Sequence, residues 1–288
     1  MELVEIFNDE LKVKIKLAGA EILSVQEQTL DYEYMWQADP EVWGSTAPVL
    51  FPIVGRVRNF RYQFDGQEYE IPQHGIFRRN DACYVLNRGE DWVSIALDSS
   101  EETKLSYPFD FRFVVTFQLQ KNKLVVKHTA ENTGDRPMFC SIGGHPGFKI
   151  PHGIENYKIK FSEAETCDRY VVGQNGLIKS ASISGLENSK EIQVTKNLFD
   201  NDALVFKNIK SKVVSIVDGG GRPAISMELG NFPYLGIWSK PGASFICIEP
   251  WQGIADSEDF NGSLDQKEGI VKVESRTHLT RSYRVTFH

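Results

Sequence analysis

Several features are scarce or missing in this 288-residue chain, and each absence narrows what it can do. No apolar run approaches the roughly 18 residues that a membrane-spanning helix needs, so no membrane role is expected. The acidic start, MELVEIFNDELK, has neither a basic n-region nor an apolar h-region, and we do not read it as a secretory signal. A surplus of positive charge is also missing. The net charge of -7 argues against a nucleic-acid partner, because phosphate contacts call for clustered lysine and arginine. The four cysteines (Cys83, Cys140, Cys167 and Cys247) show no CxxC pairing and no zinc-like grouping. They are read as reduced thiols of a cytoplasmic protein. The GGGRP stretch at 219–223 lacks the GK[ST] of a phosphate loop and reads as a turn. Nothing points to a metal or a cofactor. Linkers, repeats and low-complexity segments are absent too, which predicts a single domain over residues 1–288.

What is present has a period of two. Leu11, Val13, Ile15 and Leu17 alternate with charged and polar residues, the pattern of a strand with one buried face. Residues 60–71 predict a hairpin with Asp65-Gly66 at its turn. Residues 113–131 predict a second, longer one that turns near Lys121-Asn122. Further strand-like runs occur at 213–217, 224–229, 244–249, 270–274 and 283–287. No long i, i+3, i+4 stripe is found. The expected fold is all-β, a large antiparallel sandwich with few short helices.

Three stretches hold side chains suited to proton transfer: PQHGIFRR at 72–79, IGGHPGF at 142–148 and CIEPWQG at 247–253. Glu249 ends a strand that is apolar on both faces. Burial there would raise its pKa and make it a stronger base; the alternative is a carboxylate paired with an arginine. His145 lies among glycines, which could let a ligand approach the backbone, or could simply form a tight turn. An imidazole titrates near neutrality and can donate or accept a proton. His74 stands in a similar turn, whereas His128 belongs to an alternating row and reads as a core or sheet-face residue. Five arginines, Arg56, Arg58, Arg61, Arg78 and Arg79, crowd one region. Arginine can grip hydroxyls, carboxylates or phosphates, and Arg56 is the favoured site candidate among them. Asp202, with Asp200 as its rival, could accept hydrogen bonds from ligand hydroxyls. Trp36, Trp43, Trp238 and Trp251 could stack on a sugar ring, and Trp251 lies nearest Glu249 in sequence.

Together, FPIVGR at 51–56, HGIFR at 74–78, GGHPGF at 143–148, LFDNDAL at 198–204 and IEPWQGIADS at 248–257 resemble the aldose 1-epimerase (galactose mutarotase-like) superfamily, and within it the LacX-like branch. The resemblance runs through most of the chain in the family's order. It implies a large antiparallel β-sandwich, the galactose mutarotase-like supersandwich, with a sugar site in a cleft on one sheet. It also implies Glu249 as the general base, His145 as the general acid, and His74, Asp202 and Arg56 as groups that hold the sugar, with Trp251 beside them. The reaction would be cofactor-independent interconversion of the anomers of a hexose. Three other readings remain open here. One is a hexose-6-phosphate 1-epimerase using the arginine cluster. A second is a glycoside hydrolase with Asp202 and Glu249 as its carboxylate pair. The third is a sugar-binding protein without turnover. The expected partner is a monosaccharide or sugar-phosphate substrate; the oligomeric state is not indicated.

Overall fold

The computed structural model describes residues 2–288, and its architecture is built almost entirely from antiparallel strands. The alternating stretch near the N-terminus forms the strand Leu11–Lys16, whose leucine, valine and isoleucine side chains are buried while the lysines between them reach outward. It sits between Leu3–Phe7 and Glu21–Glu27 in a four-stranded sheet. The remaining long strands join a 15-stranded sheet. Arg61–Phe64 and Gln67–Glu70 form the expected small hairpin, with both Asp65 and Gly66 at positive φ. Phe111–Gln120 and Lys123–Asn132 form the longer one. The only α-helix among the described residues is Glu101–Ser106, started by a capping box between Ser100 and Thr103.

The large sheet cannot be flat. Phe51 follows the strand at one end of the strand order, and Phe113 lies ten strands along it. Laid flat, they would be roughly 47 Å apart. Their rings instead stack at 4.1 Å between centroids. The sheet therefore curls back on itself. One continuous core joins Phe51 and Phe113 to Leu11, Val13 and Ile15 of the small sheet and to Ile246 and Ile248 of the large one.

His128 lies in that core. Its ring is fully buried near Phe113, Phe232 and Tyr283, and neither ring nitrogen has a hydrogen-bond partner. Burial lowers its pKa to about 3, so it is neutral. All four cysteines are free. No helix among the described residues is long and apolar enough to cross a membrane.

Candidate active site

The strand Phe245–Gln252 is buried along its whole length. Ile246 and Ile248 face the main core. Phe245, Cys247, Glu249 and Trp251 face the other way, into two smaller apolar clusters that wall a cleft. This strand also explains where His145 goes. Gly143 pairs with Trp251 and Gly147 pairs with Cys247 in one common register. That register sets His145 opposite Glu249. Pro146 interrupts the pairing between the two short strands, and the His145 backbone N–H turns away to the Pro48 carbonyl at 3.0 Å. Two residues 104 positions apart thus meet because two strand segments share a register.

His145 Nε2 and Glu249 Oε2 are 3.3 Å apart. The contact is close but not aligned as a hydrogen bond, so Glu249 Oε2 has no protein partner, and neither has His145 Nδ1. Glu249 is only 1 % exposed. Burial first, and then the nearby Asp202 carboxylate, push its pKa well above the usual carboxylate value, while the Trp251 indole pulls the other way. Burial, helped by His74 and Arg78, pushes His145 well below the usual imidazole value. Both shifts favour uncharged forms. An uncharged pair and a Glu249 carboxylate beside a protonated His145 hold the same number of protons, so the two states are tautomers of one coupled site.

The pair forms part of a cavity of about 300 Å³. Such a volume is at the small end for ligand sites, roughly 300–1,000 Å³, and has room for one sugar ring. His74 lines it at positive φ, held by the segment that follows Phe51. The His74 N–H reaches the Gly55 carbonyl at 2.8 Å, and the Gly55 N–H donates to His74 Nδ1 at 3.2 Å. In the neutral ring that bond puts the proton on Nε2, which lies 3.3 Å from the Gln73 side-chain amide nitrogen. Burial, then Arg78 and Arg56, lower the His74 pKa to about 3. Asp202 lines the cavity as well, at positive φ just before the strand Leu204–Lys207. Asp200 borders only a wider outer cleft. Trp251 completes the set of expected residues on the wall.

Arg56 does not line the cavity. It lies behind the wall, donating to the Asn175 carbonyl at 2.8 Å and to Gln73 Oε1 at 3.1 Å. Of the five clustered arginines only Arg78 lines the cavity; it also donates to Ser45 at 3.1 Å. Sequence reasoning ranked Arg78 below Arg56 and did not consider Gln73, although both lie near His74 within one stretch. The glycines around His145 also need a different explanation. A Cβ on Gly143 would come 2.8 Å from the Trp251 ring, and one on Gly147 would come 2.7 Å from Trp43. They make room for protein side chains that shape the cleft, not for a ligand at the backbone. Trp43 stacks on His145 at 5.0 Å and on Phe245 at 5.1 Å, which fixes the imidazole plane. Trp238 meets His145 edge-on at 5.5 Å. Trp36 lies behind them, against Phe245.

Known proteins share this arrangement of chain and fold. The aldose 1-epimerase family profile matches residues 2–260. The plasmid-encoded protein LacX of Lactococcus lactis subsp. lactis is 29% identical over 297 residues, covering 98% of each chain. A galactose mutarotase related enzyme from Lactobacillus acidophilus superposes with a TM-score of 0.94 at 34% identity, over 100% of this chain and 97% of that one. A galactose mutarotase-like protein from Lactobacillus casei gives a TM-score of 0.94 at 25% identity, over the whole of both chains. With the fold, the cleft and the chain-long match in agreement, the chain belongs to the aldose 1-epimerase family of sugar isomerases.

Proposed function

We propose that the protein is a cofactor-independent aldose 1-epimerase that interconverts the α and β anomers of an unphosphorylated hexose, acting as one domain in the cytoplasm. The observation that carries this reading is the buried Glu249–His145 pair, in register across two strands, with unpartnered polar atoms beside a cavity of monosaccharide size. Buried polar atoms in folded proteins are nearly always satisfied, and these two lie where a sugar in the cavity could reach them.

In the reactive tautomer Glu249 is the carboxylate and His145 carries the proton. Glu249 removes the proton of the anomeric hydroxyl while His145 protonates the ring oxygen. The C1–O5 bond breaks and the open-chain aldehyde forms. Rotation about C1–C2 presents the other face of the carbonyl, and closure reverses both proton transfers. An acid and a base placed in this way each supply typically ~10²–10⁴-fold. Since mutarotation already proceeds in water, nothing stronger is needed. His74 Nε2–H, Arg78 and Gln73 donate to sugar oxygens, Asp202 accepts from sugar hydroxyls, and Trp251 offers an apolar wall. Arg56 acts indirectly, by holding Gln73 and the turn at Asn175.

The arginine positions favour a neutral sugar over a phosphate. Arg61 is engaged by Glu68 at 2.9 Å and Glu70 at 3.6 Å, and Arg58 lines a separate cavity. Arg79 donates to Ser45 at 3.1 Å, so Arg78 is the one arginine of the five on a cavity wall that also carries the Asp202 and Glu249 carboxyls, where a phosphate would want several donors. Polarimetry or one-dimensional NMR on fresh α-glucose, α-galactose and glucose 6-phosphate tests this. We expect faster equilibration for a free hexose than for the phosphate. A clear preference for the phosphate would reverse the substrate assignment, and no acceleration of any of them would leave only a binding role.

A further inference from the structure

We infer that His145, Cys247 and Glu249 form a latent binding site for a soft divalent cation, zinc above all, and that zinc bound there excludes the sugar. The site itself follows from the placement of the three side chains. The exclusion rests on the proposed function.

The donor atoms of the three residues lie within 4.8 Å of one another. Tetrahedral zinc with one imidazole, one thiolate and one carboxylate has donor-to-donor edges of roughly 3.3–3.6 Å. The His145–Glu249 edge, at 3.3 Å, already has that length. Closing the remaining edges from within 4.8 Å calls for a small adjustment at Cys247, which projects from the same strand face as Glu249, two residues away. A second, independent feature points to a ligand. Glu249 Oε2 is buried without any protein partner. A cation would satisfy it more fully than a neutral hydroxyl can. The mixed nitrogen, sulfur and oxygen set suits zinc, whereas magnesium and calcium prefer oxygen alone. His145 and Glu249 line the cavity while Cys247 does not, so a fourth zinc position would lie on the cavity side of the pair. Binding forms a Zn–S bond as the Cys247 thiol releases its proton to solvent; no electron is transferred. The ion would tie up both the proposed acid and the proposed base, so it inhibits and does not assist. Sequence spacing does not reveal this set, because one ligand comes from a different strand.

The test titrates zinc chloride, and separately cobalt(II) chloride, into the full chain and into Cys247→Ala and Cys247→Ser; the serine variant keeps the side-chain volume. Calorimetry should show one zinc ion per native chain. Cobalt should give a thiolate-to-metal charge-transfer band in the native protein and none in the variants. Zinc affinity should fall at least about tenfold in both variants, since removing even a residue that only supports a metal ligand costs that much. Saturating sugar should weaken zinc binding to the native chain. Cys247 is outside the proposed sugar-handling set, so the variants should still turn over sugar while resisting zinc. Native-like zinc affinity in both variants, or a cobalt complex without the sulfur band, would overturn the site. Zinc binding unaffected by sugar would overturn the exclusion. The calorimetric and spectroscopic readouts do not need turnover, so a chain that binds zinc but isomerises no sugar would refute the proposed activity and leave the site standing.

Discussion

His128 shows how one residue can govern the pH response of a whole fold. It is buried with both nitrogens unpartnered, and burial lowers its pKa to about 3 against an ordinary value of 6.5. Tyr283 is the titratable side chain packed against it, and it stays protonated because burial raises its pKa. A histidine with a lowered folded pKa adds stability above pH 6.5 and loses it as pH falls toward 3, because only the unfolded chain takes up the proton. The slope is at most about 1.4 kcal/mol per pH unit. His74, lowered to the same value, acts in the same direction. Urea denaturation at pH 7 and pH 5 should therefore show a loss for the native chain that is about 2 kcal/mol smaller in His128→Leu. Equal losses in the two proteins would mean that the ring is protonated in the folded state. Alternation in the row around His128 was enough to place it away from the site. It could not show that the ring lacks partners, since that depends on aromatic residues from distant strands.

At the level of elements, the cleft depends on how loops are tied to the main sheet. Asp256 and Lys267 are each 4 % exposed and form an ion pair of 2.7 Å. Lys267 also donates to the Ile254 carbonyl at 2.6 Å, and the second Asp256 oxygen accepts from the Arg58 N–H at 2.9 Å. The pair thus ties the segment after Gln252 to the segment carrying Gly55 and Arg56, beside the cavity wall at Ala255. Lys267→Ala would strand a buried carboxylate and should cost about 3–5 kcal/mol, whereas Lys267→Met with Asp256→Asn should cost markedly less. Equilibrium urea unfolding of the three chains decides it; a Lys267→Ala loss under about 1 kcal/mol would show the pair to be exposed in solution. The elements were unevenly legible. The strands Leu11–Lys16, Phe111–Gln120 and Lys123–Asn132 bury one face, and alternation predicted them; the strand-like runs expected at 213–217, 224–229 and 283–287 fall within Val213–Asp218, Pro223–Glu228 and His278–Phe287, apart from the last residue of the second. The paired arms Tyr157–Val172 and Ile178–Gln193 are the longest strands, yet they were not foreseen. The second arm is exposed along most of its length, so backbone pairing holds it and it leaves no apolar period in the sequence.

Across the whole molecule, the family, the all-β architecture and five of the cleft residues, Glu249, His145, His74, Asp202 and Trp251, were readable, because motif order along the chain survives even where spacing is uninformative. Their geometry was not. The His145–Glu249 contact arises from a register between strands, and Arg78 displaces Arg56 at the cavity because a side chain's direction is set by tertiary packing. On the proposed mechanism this contact is a working acid–base pair. Glu249→Gln keeps the shape of the side chain but removes the base. Polarimetry on a fresh α-anomer, with calorimetry of sugar binding on the same samples, tests it most directly. The substitution should lower kcat about 10²–10⁴-fold with sugar affinity largely kept. An undiminished rate in Glu249→Gln would contradict it.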